Sequence, residues 1–453
     1  MQGKNPGNLG ISIQQPVVAG SWYPAQSAKL KSIIISLLDS QQLTINQPIK
    51  ALILPHAGYQ YSGKIAASGY KQLSHPKLNK SYKTVIILAL SHHAQFNGIS
   101  VLSKAYYQTP LGKIKLSKKT AQLLKEKIAK YLPEAYEKEH SLEIHLPFLQ
   151  SVLKDFELLP IITGNVNPEE LAAVLEKYTD SKTLVLASSD LSHFHDYDGA
   201  VSLDACSISS ILSLDPVQAM NNEMCGIIPV LTLIYLAKKL NLQPRFLTYL
   251  NSGDITHEKA SVVGYTSIAF TALTKEQKLM LSLARANITS RLDNKAHQVN
   301  NIPASLKQIK ACFVTLTIDN QLRGCIGSLT ASKPLCQNIL DNSLNAAFHD
   351  PRFSPLAKEE LSSVKIEISI LTPPRKLSFS QQEDLLSKLK PFIHGVILKL
   401  HNHKSTFLPQ VWEQLPDKQE FLEHLSMKAG LPEDAWKDPA IEISVYEVEK
   451  FSE

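Results

Sequence analysis

Apolar and polar positions along the first half of the chain switch repeatedly between two periods. SAKLKSIIISLLDS (27–40) repeats at helical spacing, and a short apolar run, ALIL (51–54), follows it. KIAASGYKQL (64–73) returns to helical spacing ahead of the β-rich TVIILAL (84–90). AQLLKEKIAKYL (121–132) reads as an amphipathic helix, ELLPII (157–162) as extended, PEELAAVLEKY (168–178) as helix and LVLA (184–187) as strand. This alternation predicts βα units around a mostly parallel sheet, an α/β domain.

The register then changes. LTKEQKLMLSLARANITSRL (273–292) predicts a long amphipathic helix, and a polar, Pro-containing stretch follows. ACFVTLTIDNQLRGCIGSL (311–329) predicts a β-hairpin turning at Asp319-Asn320. The boundary therefore falls near residue 272, with a separate α+β domain after it.

Three predicted strands of the first domain end alike. ALIL runs into PHAGYQYSG, TVIILAL into SHHAQF, and TLVLA into SSDLSHFH. Ligands of open α/β sheets bind beyond the carboxyl ends of the strands. One pocket could gather His56, His92 or His93, and Asp190 with His193. Two imidazoles and a carboxylate can bind one face of Fe(II). Asp254, in NSGDITHE, is the nearest candidate carboxylate, with His257 and Glu258 close behind. A carboxylate at Asp190 would fix the tautomer of His193 and suit it to acid/base work. The competing reading has Ser188, Ser189 and Asp190 capping a following helix; it leaves His193 unexplained. His195, Asp196 and Asp198 read as ordinary surface charge.

Other motifs carry weaker signals. In EHSLEIHLPFL (139–149), His140 and Glu143 stand i,i+3 on a predicted helix face while His145 points elsewhere. The H-x-x-E-x-H spacing matches no zinc-protease motif, and a polar helix start explains it equally. In LRGCIGS (322–328) two glycines flank Cys325 and permit close backbone approach. Arg323 could bind an anion or activate the thiol, although a buried, inert cysteine is the plainer reading. His349, Asp350 and Arg352 in AAFHDPRFSPL (346–356) fit an anion site or a structural ion pair.

Composition narrows the classes. At 453 residues and 44% hydrophobic, the chain can bury the cores of two or three domains. The net charge of +6 is small for this length, and no basic stripe carries interleaved aromatics, which argues against a nucleic-acid partner. Lysine runs at 77–83 and 124–130 read as solvated faces. Five dispersed cysteines without a C-x-x-C pair exclude a disulfide framework and a zinc ribbon. No apolar run approaches the ~20 residues needed to span a bilayer, and MQGKNPGNLGISIQQP lacks a signal-peptide core. The expected location is cytoplasmic, with no membrane contact.

Taken in order, AGSWYP (19–24), LPHAGYQYSG (54–63), SHH (91–93), TPLG (109–112), EHSLEIHLPFL, SSDLSHF and VVGY (262–265) resemble the MEMO family over residues 16–272. RGCIGS, FHDPRFSPL, ISILTPP (368–374), HGVILKL (394–400), FLPQVW (407–412) and the closing IEISVYEVEKF resemble the AMMECR1 family over 274–453. The chain thus looks like a fusion of the B and A proteins of the AmmeMemoRadiSam system, whose expected companion is a separate radical SAM protein. The MEMO resemblance implies a fold shared with class III extradiol dioxygenases, which are non-haem Fe(II) enzymes; copper and zinc are the alternative metals. It assigns His56 and His92 to the metal and Asp190 and His193 to the pocket. The family's third ligand can be a cysteine before the closing V-x-Y; this chain has none there, and Asp254 takes its place. Ala89-Leu90 replaces the family's usual Gly-Pro before SHH, and Ser426 stands where relatives often carry Cys. The resemblance implies a metal-dependent redox enzyme acting on a small molecule or peptide. Its second domain would offer a surface around Arg323, Cys325 and His349. The alternative is a non-catalytic metal-binding or peptide- and protein-interaction module.

Overall fold

The computed structural model describes residues 12–75, 82–295, 301–319 and 321–453. The polar start of the chain, most of the 77–83 lysine run, part of the polar stretch after 292 and Asn320 of the predicted turn lie outside the described residues. The chain divides into two compact units between Ala272 and Leu273.

The first unit is built on a nine-stranded mixed sheet. At its centre lie four parallel strands in the order Ile49–Leu54, Thr183–Ser188, Thr84–Leu90, Glu157–Thr163. Their nearly unbroken Val, Ile and Leu runs are buried on both faces, as parallel strands covered by helices must be. Val262–Ala272 flanks Ile49–Leu54 in antiparallel pairing and itself pairs with Leu242–Asn251. On the opposite edge, Ile99–Val101 runs antiparallel to Glu157–Thr163. Helix Ser27–Asp39 packs on helix Tyr59–Leu73, and Pro168–Glu176 packs on Ile227–Lys239. The core of the first pair includes Leu52, Leu54, Val85, Ile87, Leu184 and Leu186.

Two local expectations are corrected. The amphipathic 121–132 stretch is helical only over Lys119–Leu123; Ala129–Lys130 then joins the sheet beside Ile99–Val101. Edge pairing overrides helical spacing there, because the Ile99 N–H donates to the Ile128 carbonyl at 2.7 Å. The helix after SSDLSHFH begins at Tyr197, and its cap is Asp196, which accepts the Gly199 N–H at 2.8 Å. Ser188, Ser189 and Asp190 are therefore released from the capping role.

The second unit holds two four-stranded antiparallel sheets, an α+β arrangement. The predicted hairpin is Cys312–Ile318 paired with Gln321–Gly327, beside Lys365–Leu371 and Val448–Ser452. Helix Lys275–Leu292 starts at a Thr274–Gln277 capping box and packs with Leu335–Phe348 against this sheet. In the second sheet's core, Trp412 stacks on Phe421 with ring centroids 3.5 Å apart. Among the described residues no helix is long and apolar enough to cross a membrane.

Candidate metal centre

Neighbouring parallel strands deliver His56 and Ser188 to the same place. Leu54 pairs with Ser188 in the sheet, so the turns after both strands touch. The His56 backbone N–H donates to Asp190 Oδ1 at 2.7 Å, and His56 Nδ1 lies 2.7 Å from Ser188 Oγ. Ser188 Oγ donates to the Ser141 carbonyl at 2.6 Å, so its hydrogen is committed and the imidazole must donate. That leaves the His56 Nε2 lone pair without a hydrogen of its own, facing the Cys225 Sγ at 3.3 Å. Burial, then repulsion from His92, pushes the His56 pKa down to about 3, so the ring is neutral.

The next strand, Thr84–Leu90, runs into Ser91 and His92. Glu139 Oε2 accepts the His92 backbone N–H at 2.6 Å, and Oε1 accepts Nδ1–H at 2.9 Å. Burial alone would raise the Glu139 pKa, but these bonds and one from Ser141 N–H prevail and hold it to about 2. An anionic partner on Nδ1 turns His92 Nε2 into a free ligand atom.

His140 follows Glu139 directly. Its ring lies against Trp22 with centroids 3.9 Å apart, stacks on His92 at 4.5 Å, and meets His56 edge-on at 5.4 Å. Burial, then the close approach of the His56 ring, lowers its pKa to about 3. One ligand atom from each of His56, His92 and His140 lies within 4.8 Å of the others. Three imidazoles from three chain segments fit a transition metal, and a three-ligand set leaves positions open for substrate.

The remaining predicted residues are placed as follows. Asp254 is outside this group: Oδ1 accepts from Tyr197 Oη and Oδ2 from Asn251 N–H, both at 2.8 Å. Asp190 is buried beside His56, and burial lifts its carboxyl to about 6. His193 is not hydrogen-bonded to it; His193 Nδ1 donates to the Leu191 carbonyl at 2.8 Å, so a backbone group sets its tautomer. Glu143 parts company with His140. It accepts from Val17 N–H, Val18 N–H and Tyr23 Oη, tying down the segment near the start of the described chain.

Two site residues were missed by sequence reasoning: Glu139 and Cys225. Cys225 Sγ lies 3.3 Å from His56 Nε2 and lines a cavity of about 540 Å³ with Ser91, Gln95, Asn97, Asn165 and Ile227. Burial, then the Asp190 charge, pushes the thiol well above its ordinary pKa, so it carries its proton.

Residues 14–269 match the model of the family described as Memo-like protein. The chain belongs to that family. Residues 281–451 match the AMMECR1 family, so a Memo-like domain is followed by an AMMECR1 domain. A MEMO1 family protein of Sulfurisphaera tokodaii is 34% identical over 57% of this chain and 99% of its own length. Protein NEQ441 of Nanoarchaeum equitans is 42% identical over 38% of this chain and 98% of its own. The crystal structure of the uncharacterized protein PH0010 from Pyrococcus horikoshii has 33% sequence identity, covers 39% of this chain and 90% of that one, and gives a TM-score of 0.35.

In the AMMECR1 domain the predicted trio does not converge. Arg323 sits on a bulge of its strand and makes a bidentate pair with Glu360 at 2.7 and 2.9 Å. Cys325 Sγ instead accepts from Thr315 Oγ1 at 3.2 Å and borders a cavity of about 30 Å³, room for a water or two. His349 is exposed at the end of helix Leu335–Phe348. Asp350 accepts the Cys325 N–H at 2.8 Å and pairs with Arg352 at 2.7 Å, the structural ion pair of the two expected alternatives, and the Arg352 hydrogen bonds hold its carboxyl well below the usual range.

Proposed function

We propose that the Memo-like domain is a metal-dependent redox enzyme with a class III extradiol dioxygenase-like fold. His56, His92 and His140 would hold the metal, Fe(II) in the first instance, with copper or zinc as alternatives. The observation that carries this reading is the meeting of three imidazoles, two with Nδ1–H already committed to Ser188 and Glu139. A bound metal would supply a Lewis-acid and electron-transfer centre beside the cavity.

The chain's own groups would handle protons and substrate. His193 presents Nε2 once Nδ1–H is given to Leu191, which suits it to take or return a proton. Asp190, with its raised pKa, braces the His56 turn and can exchange a proton near neutral pH. The cavity beside Cys225 and Ser91 would seat a small molecule or a peptide end. In this reading the protein works in the cytoplasm with a radical SAM protein of the AmmeMemoRadiSam system.

The test is metal analysis of anaerobically purified protein and of His56→Ala, His92→Ala and His140→Ala. Stoichiometric metal in the parent and its loss in each variant is expected; unchanged metal in all three sinks the idea. A second reading, a metal-bearing interaction module, rests on Phe194. Its side chain is 77% exposed at φ +65° between His193 and His195, both of which are bonded to Glu223. That reading predicts a stable complex with the radical SAM partner and no oxygen- or reductant-dependent turnover.

A further inference from the structure

Tyr70, His145 and Ser188 form a buried hydrogen-bonded line that ends on His56. Tyr70 comes from the helix Tyr59–Leu73, His145 from the turn Glu143–His145, and Ser188 from the last position of its strand. All three are inaccessible to solvent, at 1% exposure or less. Tyr70 Oη lies 2.8 Å from His145 Nδ1, and His145 Nε2 lies 2.9 Å from Ser188 Oγ.

The proton positions along this line follow from one carbonyl. Ser141 O can only accept, and at 2.6 Å it takes the single hydrogen of Ser188 Oγ. Both imidazoles facing Ser188 must then donate to it: His145 through Nε2–H and His56 through Nδ1–H. With its hydrogen on Nε2, neutral His145 has a lone pair on Nδ1, which takes the Tyr70 hydroxyl proton. Burial, then the neighbouring His56, keeps His145 neutral. Nothing in the line is free to reverse without setting two oxygens or a nitrogen and an oxygen against each other unbonded.

The other His56 tautomer would place a hydrogen on Nε2, toward Cys225 Sγ at 3.3 Å and Asp190 Oδ2 at 4.0 Å, and would remove a ligand atom. We propose that Ser188, held by Ser141 and backed by the Tyr70–His145 pair, is a positioning residue that fixes His56 as the Nδ1–H tautomer and reserves Nε2 for the metal. This rests on the reading of the site as a metal centre, and it assigns a use to the buried polar groups behind His56.

The experiment combines histidine ¹⁵N NMR on the metal-free full chain with Co(II) titration. In the parent protein His56 carries Nδ1–H. In Ser188→Ala the His56 signals move toward the Nε2–H form and Co(II) affinity falls about ten- to a hundredfold. Ser188→Thr, which keeps the hydroxyl, restores both. A parent His56 found as Nε2–H, or a Ser188→Ala protein that keeps the Nδ1–H form, overturns the proposal. If the parent takes up no Co(II), the metal reading fails, and the tautomer comparison still judges the positioning role. If Ser188→Ala does not fold, the parent spectrum decides alone: His56 as Nδ1–H together with His145 as Nε2–H supports the line, and either ring found as the other tautomer overturns it.

Discussion

Glu139 grips His92 at two points, accepting its backbone N–H on one carboxylate oxygen and its Nδ1–H on the other. The strand end and the ring are thereby fixed by a single buried anion. Glu139→Gln keeps the shape but removes the charge and turns an amide NH₂ against one of these donors. Metal affinity should fall about ten- to a hundredfold, measured by competition with a chromogenic chelator. Unchanged affinity would remove Glu139 from the site.

The third ligand can be decided by comparing His140 with Asp254. His140→Ala should lose the metal. Asp254→Ala should keep it and instead lose about 1 kcal/mol of stability, because its partners are Tyr197 Oη and Asn251 N–H. Metal content and urea midpoints, read on both variants, separate the two roles. Metal retained in the first and lost in the second would restore the carboxylate ligand expected from sequence.

Burial raises the Asp204 carboxyl to about 6, against hydrogen bonds from Ser192 N–H and Tyr249 Oη that pull it down. The folded state therefore holds this proton above the pKa of about 3.9 that applies when unfolded. Stability from this group is present below about pH 4 and is lost as pH climbs through about 6, on the order of 3 kcal/mol. Asp204→Asn can keep both hydrogen bonds and should flatten that slope in urea unfolding between pH 4 and 7. A variant with the parent's slope would show that another group is responsible.

Gly324, in the RGCIGS motif, is required by its neighbour. A Cβ there would lie 2.1 Å from the Ala346 carbonyl oxygen, in the backbone of the helix packed on the strand. Gly324→Ala should destabilise the AMMECR1 domain by about 1–3 kcal/mol or more, read as a lowered thermal transition of the full chain. The Memo-like domain's metal content should not change.

The parallel centre of the first domain was legible because its strands are nearly unbroken apolar runs that end abruptly in His or Asp. That pattern led to His56, His92 and Asp190 directly. His140 was read on a helix face with Glu143, yet the helix starts only at Leu146. Pro147 is the local reason: its ring bars an α-helical turn before it, leaving His140 on the loop upstream. Glu143 was misread because its partners, Val17, Val18 and Tyr23, lie more than a hundred residues away and leave no periodic trace. Cys225 escaped for the same reason; it reaches His56 only through the folded ends of the sheet.

The three imidazoles come from stretches far apart along the chain, His56 and His92 from the turns after two strands of the sheet and His140 from a loop. An unfolded chain cannot hold them together, so an ion bound there acts as a reversible cross-link on the folded Memo-like domain alone. At a free concentration one hundred times its dissociation constant, such an ion adds about 2.7 kcal/mol to that domain's stability. Under the proposed reading, the availability of metal would set how readily this half of the protein opens, and with it how long the chain lasts against proteolysis.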